Sequence, residues 1–412
     1  MVLLIISFGC APVTATTEPS APTDGPAPTA SPTLTATPPP TITHTPTPTA
    51  TGSEGAPPAV AAGRLIPHTS AASIHPQLAR DADDHLSLFF VSPDPSGGGV
   101  YLHSQLQADG AWSQPAAASP SFQFLDNLTL VPDMSGRLCI FWSGEQYDAG
   151  GHAVYGLWHN CQQADGAWQA QAQQPAVTSQ PTIFSPQRGP RGALLTVLIA
   201  PAGRVEGLYF SAIASSAAAA LTGTLLSGSQ QVLFGRLAID SNNGYHAAWV
   251  EAAGNGTAFT VQARGSSDEG KTWTPAEQLY AGTADNPAEI TFRMLADSTG
   301  QVHLAWDGDN AVHYRRWNAA DGWGDPVTLS GPDRSANVAL AVNSDGLARA
   351  AWITSGTLDS VLLRRQLING TWGATEVVTA TPAFDLSLAV DAAGANRLVW
   401  RADDGLRYVA IP

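Results

Sequence analysis

Short apolar segments alternate with polar turns along most of the chain, and they follow one recurring pattern. Each unit reads apolar-Ala-x-Asp, then a few small residues that include glycine, then a second apolar run that ends in tryptophan. Copies of the unit occupy residues 130–142, 237–249, 294–306, 340–352 and 388–400. Two apolar runs joined by an Asp/Gly turn predict a pair of antiparallel strands. The pattern therefore predicts an all-β protein built from repeated hairpins.

The spacing of these hairpins predicts how they assemble. Residues 78–90 form another copy, with phenylalanine in place of the final tryptophan, and residues 192–199 form a degraded one. Consecutive copies end between 46 and 57 residues apart, which is the length of a four-stranded propeller blade. We therefore predict a single β-propeller of seven blades over residues 61–412. Six blades are the alternative, because the third unit is poorly patterned and contains the alanine run 217–220.

The two ends of this segment predict how the ring closes. After the last copy, residues 406–412 supply only a third strand. The apolar segment 63–68 precedes the first full blade and can supply the missing outer strand. Such pairing would remove an open sheet edge, so we expect the N-terminal strand to complete the last blade.

A second marker lies between consecutive hairpins and combines Asp or Asn, glycine and tryptophan. Its fullest copy is Ser266-Ser-Asp-Glu-Gly-Lys-Thr-Trp273, and partial copies end at Trp112, Trp168, Trp323 and Trp372. Glycine provides the positive φ of a tight turn, Asp and Ser bond the turn's own amides, and tryptophan packs between sheets. The complete copy resembles the Asp-box of the sialidase-like β-propellers, with Ser266, Asp268, Gly270, Thr272 and Trp273 at the motif positions.

This resemblance implies a possible glycosidase, because sialidases hold a carboxylate with three arginines and use a Tyr/Glu nucleophile pair and an Asp acid/base. Their first arginine lies in an Arg-Ile-Pro motif, and Arg64-Leu-Ile-Pro67 is similar but has one inserted residue. That family has six blades, whereas the repeat predicts seven. No motif in the chain assigns the nucleophile or the acid/base, so the catalytic residues are unknown and the resemblance carries over only the Asp-box positions.

The N-terminal sixty residues have a different composition from the repeats. Residues 2–6 form a short apolar run that is followed by Ser7-Phe8-Gly9-Cys10. A small residue before a cysteine after such a run resembles the lipidation site of a bacterial lipoprotein, and a cleaved secretory signal without lipid is the alternative. Residues 11–60 are rich in Pro, Thr, Ser and Ala, which predicts a disordered, extended linker. We therefore expect an exported bacterial protein that is either lipid-anchored at the cell surface or secreted.

Charge and cysteine content exclude several functions. Charged residues make up 13% of the chain, the formal net charge is -15, and Lys271 is the only lysine. Without a basic run the chain offers no surface for nucleic acid, and it would meet a membrane only through a lipid anchor. Cys139 and Cys161 lie on neighbouring predicted strands. They could form a disulfide or remain two buried thiols, and the sequence is compatible with either state. No metal site or cofactor is predicted from cysteine spacing.

The candidate ligand face lies at the loops between the second and third strands of each blade. The predicted rim consists of Glu145, Tyr147, Asp148, Glu251, Asp307, Asp309, Asp403 and Asp404. These side chains could hold Ca²⁺ or bond sugar hydroxyls, and a set of solvated loops is the alternative. Arg236 and Arg293 occupy equivalent positions in adjacent blades, near the predicted central channel, where two guanidinium groups could clamp an anion.

Three histidines are candidates for catalytic bases, but their spacing argues against that role. His85, His246 and His303 recur at the same position of the repeat, so we predict that they are structural. The sequence as a whole favours a monomeric, non-catalytic module that binds a glycan or a protein through one propeller face. The alternative is a glycan-active enzyme, either a divergent sialidase-like hydrolase or a propeller polysaccharide lyase.

Overall fold

The computed structural model describes residues 63–412, except residues 82, 96, 148–149, 170–171, 179–182, 203–204, 214–222, 229, 255, 332 and 356–359. The predicted leader, Cys10 and the linker lie outside the described residues, as do Asp148 and the alanine run 217–220. In the described part of the chain, no helix is long and apolar enough to cross a membrane.

The first four blades follow one another along the chain, and each is an antiparallel sheet with its strands in sequence order. A short strand, β1 (Arg64–Leu65), precedes them. Blade 1 contains β2 (Ile74–Arg80), β3 (Leu86–Pro93), β4 (Gly99–Gln105) and β5 (Ala116–Ala117). Blade 2 contains β6 (Phe124–Leu130), β7 (Cys139–Tyr147), β8 (Ala153–Cys161) and β9 (Gln173–Thr178). Blade 3 contains β10 (Ile183–Arg188), β11 (Leu194–Ala202), β12 (Val205–Ile213) and β13 (Thr224–Leu225). Blade 4 contains β14 (Val232–Ile239), β15 (Tyr245–Ala253), β16 (Ala258–Ser266) and β17 (Glu277–Thr283).

The last three blades repeat this plan, with a single 3₁₀ turn at Pro287–Glu289 before the fifth. Blade 5 contains β18 (Phe292–Ala296), β19 (Val302–Gly308) and β20 (Ala311–Asn318), and its outer strand is split into β21 (Gly322–Trp323) and β22 (Val327–Thr328). Blade 6 contains β23 (Arg334–Val342), β24 (Ala348–Ser355), β25 (Ser360–Arg365) and β26 (Glu376–Thr379). Blade 7 contains β27 (Leu386–Val390), β28 (Asn396–Ala402) and β29 (Gly405–Ile411).

The N-terminal strand closes the ring. β1 pairs with β29 and becomes the fourth strand of blade 7, with Arg64 opposite Tyr408 and Leu65 opposite Arg407. The described residues therefore form seven sheets, which confirms the seven-bladed propeller and the closing segment, and the six-bladed alternative is wrong. The weakly patterned third unit forms a blade because its three inner strands pair along their whole length in unbroken antiparallel register.

The hydrophobic core lies between blades. The tryptophans that mark the repeat end up fully buried, and they are Trp142, Trp249, Trp306, Trp352 and Trp400. Trp249 of blade 4 packs in one cluster with Leu208 and Phe210 of blade 3, and Trp306 of blade 5 packs with Phe259 of blade 4. One sheet cannot bury both of its faces alone, so each blade depends on its neighbours.

Polar side chains bridge neighbouring blades at one repeated position. Asn160, Arg315 and Arg364 lie at equivalent points of their sheets, opposite Ile140, Leu304 and Ala350. Each donates to a carbonyl of the preceding blade: Asn160 to Ala118 at 2.8 Å, Arg315 to Leu279 at 2.6 Å and Arg364 to Leu329 at 2.9 Å. These bonds satisfy buried backbone acceptors at the blade interface.

The complete Asp-box forms the turn that follows β16. Ser266 Oγ accepts from Gly270 N at 2.9 Å, and the Asp268 carboxylate accepts from Thr272 N at 2.8 Å and from Thr272 Oγ1 at 2.6 Å. Gly270 has a φ of 80°, and a Cβ there would lie 2.3 Å from the Phe210 ring. The motif residues thus shape a turn on the end of the propeller that carries the β14–β15 and β16–β17 connections, and they form the Asp-box turn that the sequence predicts.

We expect Asp268→Ala to lower the melting temperature more than Asp165→Ala, its counterpart in the partial box of blade 2. Asp165 accepts from Ala167 N, whereas Asp268 holds both the backbone and the hydroxyl of Thr272. The Thr272 hydrogen bonds lower the pKa of Asp268 to about 2. Its stabilisation is therefore present above the ordinary carboxyl pKa near 4 and is lost as the pH falls toward 2. Thermal unfolding of both variants between pH 2 and pH 7 tests this, and equal melting temperatures at pH 7 would contradict it.

Cys139 and Cys161 form a disulfide in the structure. They lie directly opposite each other, at the start of β7 and the end of β8. Cys139 is fully buried, in a cluster with Phe141 and Leu157. The bond therefore joins two strands that already pair, at the end of blade 2 near its first turn.

Candidate ligand site in the central channel

The innermost strands of the blades surround a channel along the ring axis. It holds a cavity of about 440 Å³ with lining residues from every blade. The strands alternate in direction, so the chain enters each innermost strand at the same end as the turn between the second and third strands. We call this end the mouth; the Asp-box lies at the opposite end.

Sheet register identifies one layer of seven equivalent side chains around the channel. Each lies opposite the residue that precedes the marker position of its blade, as Arg236 lies opposite Ala248 and Arg293 opposite Ala305. The layer consists of Gln77, Thr129, Ser185, Arg236, Arg293, Ala339 and Ser387, and all seven line the cavity. Two cations therefore stand side by side in a ring of small or neutral polar residues.

A second layer lies two residues earlier in the chain of each blade, closer to the mouth. It consists of His75, Asn127, Ile183, Phe234, Thr291, Asn337 and Asp385, which also line the cavity. Ile183 and Phe234 are adjacent in blades 3 and 4, so this wall is apolar. The remaining positions carry hydrogen-bonding groups. The mouth thus presents an apolar side and a polar side above the two arginines, as small-molecule sites commonly do.

Three of these mouth residues have left-handed backbone conformations. The φ values are 52° at His75, 53° at Asn127 and 56° at Asn337, and each lies where the innermost strand shifts register against its neighbour. The bulges allow side chains to tie adjacent blades together, since the amide of Asn127 donates to Phe184 O and that of Asn337 to Phe384 O, the latter at 2.7 Å. Side-chain bonding lowers the cost of this conformation for asparagine.

Arg236 and Arg293 adopt the same pose. In each, Nη1 donates to the carbonyl of the preceding residue, at 3.1 Å to Gly235 O and at 3.3 Å to Phe292 O. Both side chains are half-buried. Burial lowers the pKa of Arg293 below its ordinary value, and the carboxylates of Asp307 and Asp385 oppose that change. Both guanidinium groups remain charged near neutral pH, because arginine titrates far above it.

The sequence predicts Asp307 on an open rim. In the structure it lies within β19 instead. It is buried behind the channel wall, and its carboxylate accepts from Thr291 N at 2.8 Å and from Asn337 N at 2.7 Å. Burial raises the pKa of Asp307 to about 6, although these hydrogen bonds oppose the shift. Glu251 is likewise buried within β15, where it accepts from the Trp249 indole at 2.7 Å. The loop assignment of these two residues is therefore wrong.

The other predicted rim residues are not gathered at the channel. Asp309 accepts from Thr283 N at 2.7 Å and from the Tyr280 hydroxyl at 2.5 Å, which joins blade 5 to the outer strand of blade 4. Burial opposes the shift, but these hydrogen bonds lower the pKa of Asp309. Glu145 and Tyr147 lie at the end of β7 in blade 2, where Tyr147 is exposed. They do not line the cavity.

Asp385 is a channel residue that the sequence analysis does not single out. Its Oδ2 accepts from His75 N at 3.3 Å and lies 3.4 Å from Arg401 Nε. It belongs to the polar side of the mouth, and Arg401 also stacks over the Phe384 ring at 4.8 Å. Its only sequence signal is its position just before the innermost strand of its blade, and loop lengths hide the equivalence between blades.

The repeated histidines bond the aspartates of their own hairpin turns. His246 Nε2 lies 2.9 Å from Asp240 Oδ2, and His303 Nε2 lies 2.9 Å from Asp297 Oδ2. His85 Nδ1 lies 3.0 Å from Asp81. These contacts agree with the predicted structural role. Arg64 lies on the closing strand and donates to Gly110 O at 3.3 Å, so it is an edge residue of blade 7.

The predicted rim residues that the structure describes form no group that could hold a metal ion. Among the described residues, one group could hold an ion, and it consists of Asp81, Asp83 and His85 in the first turn of blade 1. Asp81 already accepts from the backbone amides of both other residues. This turn lies at the end of the propeller opposite the mouth.

Comparisons with known proteins address the fold. No family model and no curated protein match the chain. A protein of unknown function from Dyadobacter fermentans aligns with a TM-score of 0.51 and 14% identity over 73% of this chain and 96% of that one. An ulvan lyase of polysaccharide lyase family PL25 aligns with a TM-score of 0.51 and 12% identity over 86% of this chain and 94% of that one. A puromycin-hydrolysing peptidase from Mycobacterium tuberculosis aligns with a TM-score of 0.53 and 14% identity over 86% of this chain and 55% of that one.

At these identities the likeness establishes the fold alone. The chain is a seven-bladed β-propeller. Within that fold the channel side chains belong to this sequence, and they must be interpreted from their own geometry.

Proposed function

We propose that the protein is an exported, non-catalytic recognition module that binds an anionic glycan at the channel mouth. The observation that carries this proposal is the pair Arg236 and Arg293, side by side in one layer of the cavity. Two guanidinium groups of matching pose suit a carboxylate or sulfate. Partial burial strengthens that attraction, because salt screens it less than at an open surface.

The rest of the cavity suits a sugar ring. Gln77, Thr129 and Ser185 share the arginine layer and can bond hydroxyl groups, while Ile183 and Phe234 offer an apolar wall above them. A volume of about 440 Å³ lies within the ordinary range of small-ligand pockets. The ulvan lyase has been solved bound to -[GlcA(1-4)Rha3S]-, and this acidic sequence supplies a probe.

The second candidate is a glycan-active enzyme, and one observation favours it. A carboxyl group with a pKa of about 6 at Asp307 lies beside Arg293, and such a raised pKa suits a general acid. Both halves of that carboxylate are, however, held by backbone amides of Thr291 and Asn337. The Asp307 carboxylate therefore serves to hold the backbone of the channel wall. This supports ligand recognition rather than catalysis.

We expect Arg293→Gln to weaken binding of an acidic glycan about thirtyfold, because removing one partner of a desolvated charge pair costs about 2 kcal/mol or more. A glycan array probed with the full chain should show acidic glycans, including oligosaccharides of -[GlcA(1-4)Rha3S]-, above their neutral counterparts. Arg191→Gln is the matched control, since Arg191 is exposed and pairs with Glu269 at 2.6 Å at the other end of the propeller.

Two outcomes would decide against this proposal. An equal loss of glycan affinity in Arg293→Gln and in the control Arg191→Gln would show that the pair Arg236 and Arg293 is not the binding site. Turnover of any acidic glycan that is abolished by Asp307→Asn would favour the enzyme. Product formation should be followed both by reducing-end assay and by absorbance of the unsaturated sugar that a lyase leaves.

A further inference from the structure

Asp307 connects blade 5, which carries Arg293, with blade 6. Its carboxylate accepts from Thr291 N, just before the innermost strand of blade 5, and from Asn337 N in the innermost strand of blade 6. Both residues line the cavity, whereas Asp307 itself lies behind them and is 5% exposed. One buried carboxylate therefore fixes the backbone of two adjacent wall positions.

The same carboxylate acts electrostatically on Arg293. Asp307 and Asp385 are the two acidic groups whose charges act on that guanidinium. Asp385 already has partners in Arg401 and His75. Asp307 has no such cation of its own among the described contacts, since its hydrogen bonds come from neutral donors. A change in its charge is therefore felt mainly at Arg293.

We propose that Asp307 is a positioning residue of the channel site, which holds the wall at Thr291 and Asn337 and whose ionisation sets how strongly Arg293 attracts an anion. This inference rests on the proposed function, because it concerns the same site. It adds a direction: the site takes an anionic glycan more tightly at mildly acidic pH than at pH 7.5.

The sign follows from the charges. Burial raises the pKa of Asp307 to about 6, so the group is neutral at pH 5 and ionised at pH 7.5. When Asp307 is ionised, its negative charge offsets the positive charge of Arg293 and repels a bound anion. When it is neutral, it no longer offsets the positive charge of Arg293, on which Asp385 still acts. By reciprocity, a bound anion must raise the pKa of Asp307 further.

Other titratable groups near the site must be separated from this effect. His75 stands at the mouth with an exposed side chain and would also favour an anion when protonated. Asp309 follows Asp307 by two residues, and hydrogen bonds from Tyr280 and Thr283 hold it ionised. His313 contacts Tyr280 at 3.2 Å, and burial lowers its pKa. Asp385 pairs with Arg401, whose Nε lies 3.4 Å from the Asp385 carboxylate.

The test is the affinity of the full chain for the disaccharide of glucuronate and rhamnose 3-sulfate between pH 5 and pH 7.5. Its sulfate stays charged across that range. We expect the affinity of the wild type to fall about fivefold to tenfold as the pH rises, a change typical of coupled sites. Asp307→Asn should remove most of the dependence, while Asp309→Asn and His75→Gln should retain most of it.

Each result bears on one claim. A pH profile that is flat in the wild type, or that persists in Asp307→Asn, would overturn this inference while leaving the proposed function intact. Absence of binding at every pH would overturn both. Asp307→Asn could unfold the protein, because Thr291 N and Asn337 N bond different oxygens of Asp307 and the NH2 group that replaces one of them cannot accept a hydrogen bond. In that case the wild type still decides. Carboxyl ¹³C NMR should show the Asp307 pKa rising when the disaccharide binds, and an unchanged pKa would refute the coupling.

Discussion

A chain that begins at residue 67 is expected to melt about 10 °C below one that begins at residue 61. The difference is the closing strand. Arg64 and Leu65 pair with β29, Ile66 N donates to Leu406 O at 2.8 Å, and Arg407 Nη1 donates to Gly63 O at 2.8 Å. Ile66 is 1% exposed and packs against the core between blades 7 and 1.

The size of this effect follows from ordinary magnitudes. Burial of one isoleucine contributes about 2 kcal/mol and each lost hydrogen bond about 1 kcal/mol, so the total is roughly 5 kcal/mol, or about 10 °C for a chain of this size. The truncation also leaves β29 as an exposed edge, so aggregation should increase.

The paired truncations can be compared by differential scanning calorimetry and light scattering. Ile66→Ala in the full chain provides an intermediate case, because it keeps the backbone pairing and removes only the buried side chain. Equal melting temperatures of the chains beginning at 61 and at 67 would show that β1 does not stabilise the ring.

Cys139→Ala/Cys161→Ala is expected to lose about 3 kcal/mol of unfolding free energy, because the bond closes a loop in the unfolded chain. The two cysteines are separated by 22 residues. They share a strand pair that hydrogen bonds already hold. The folded blade should therefore survive without the bond, and the loss should appear chiefly through the unfolded state.

Chemical denaturation with and without dithiothreitol measures this effect. The reduced wild type should match the double variant, and the oxidised wild type should unfold at higher denaturant. A double variant that is as stable as the oxidised wild type would show that the crosslink contributes nothing. A protein purified from its natural compartment with both thiols free would contradict the oxidising environment that export implies.

Much of the fold could be predicted because its signals are local. The Asp/Gly turns and the marker tryptophans each depend on a few neighbouring residues, and they repeat in phase with one another. Even the closing strand was predictable, since the last unit lacked a fourth strand and residues 63–68 could supply it. Register also placed Arg236 and Arg293 in the channel, because equivalent repeat positions occupy equivalent places in a ring.

The rest of the candidate site was not predictable from spacing. Glu251 and Asp307 follow apolar runs in the sequence and look like loop residues, yet the strands extend past them and bury both. The left-handed bulges at His75, Asn127 and Asn337 also have no clear sequence signal. They depend on where neighbouring blades provide partners, and those partners lie 47 to 310 residues away.

The sequence by itself determined a seven-bladed ring, its Asp-box turns and the two arginines that face its axis, because repetition converts local patterns into a global shape. Only the tertiary structure decided which polar groups serve the channel and which serve the scaffold. Burial and hydrogen bonding across blades make that division. Asp307, a predicted rim ligand, is instead a buried group behind the channel wall at Thr291 and Asn337. Both properties depend on contacts between distant parts of the chain.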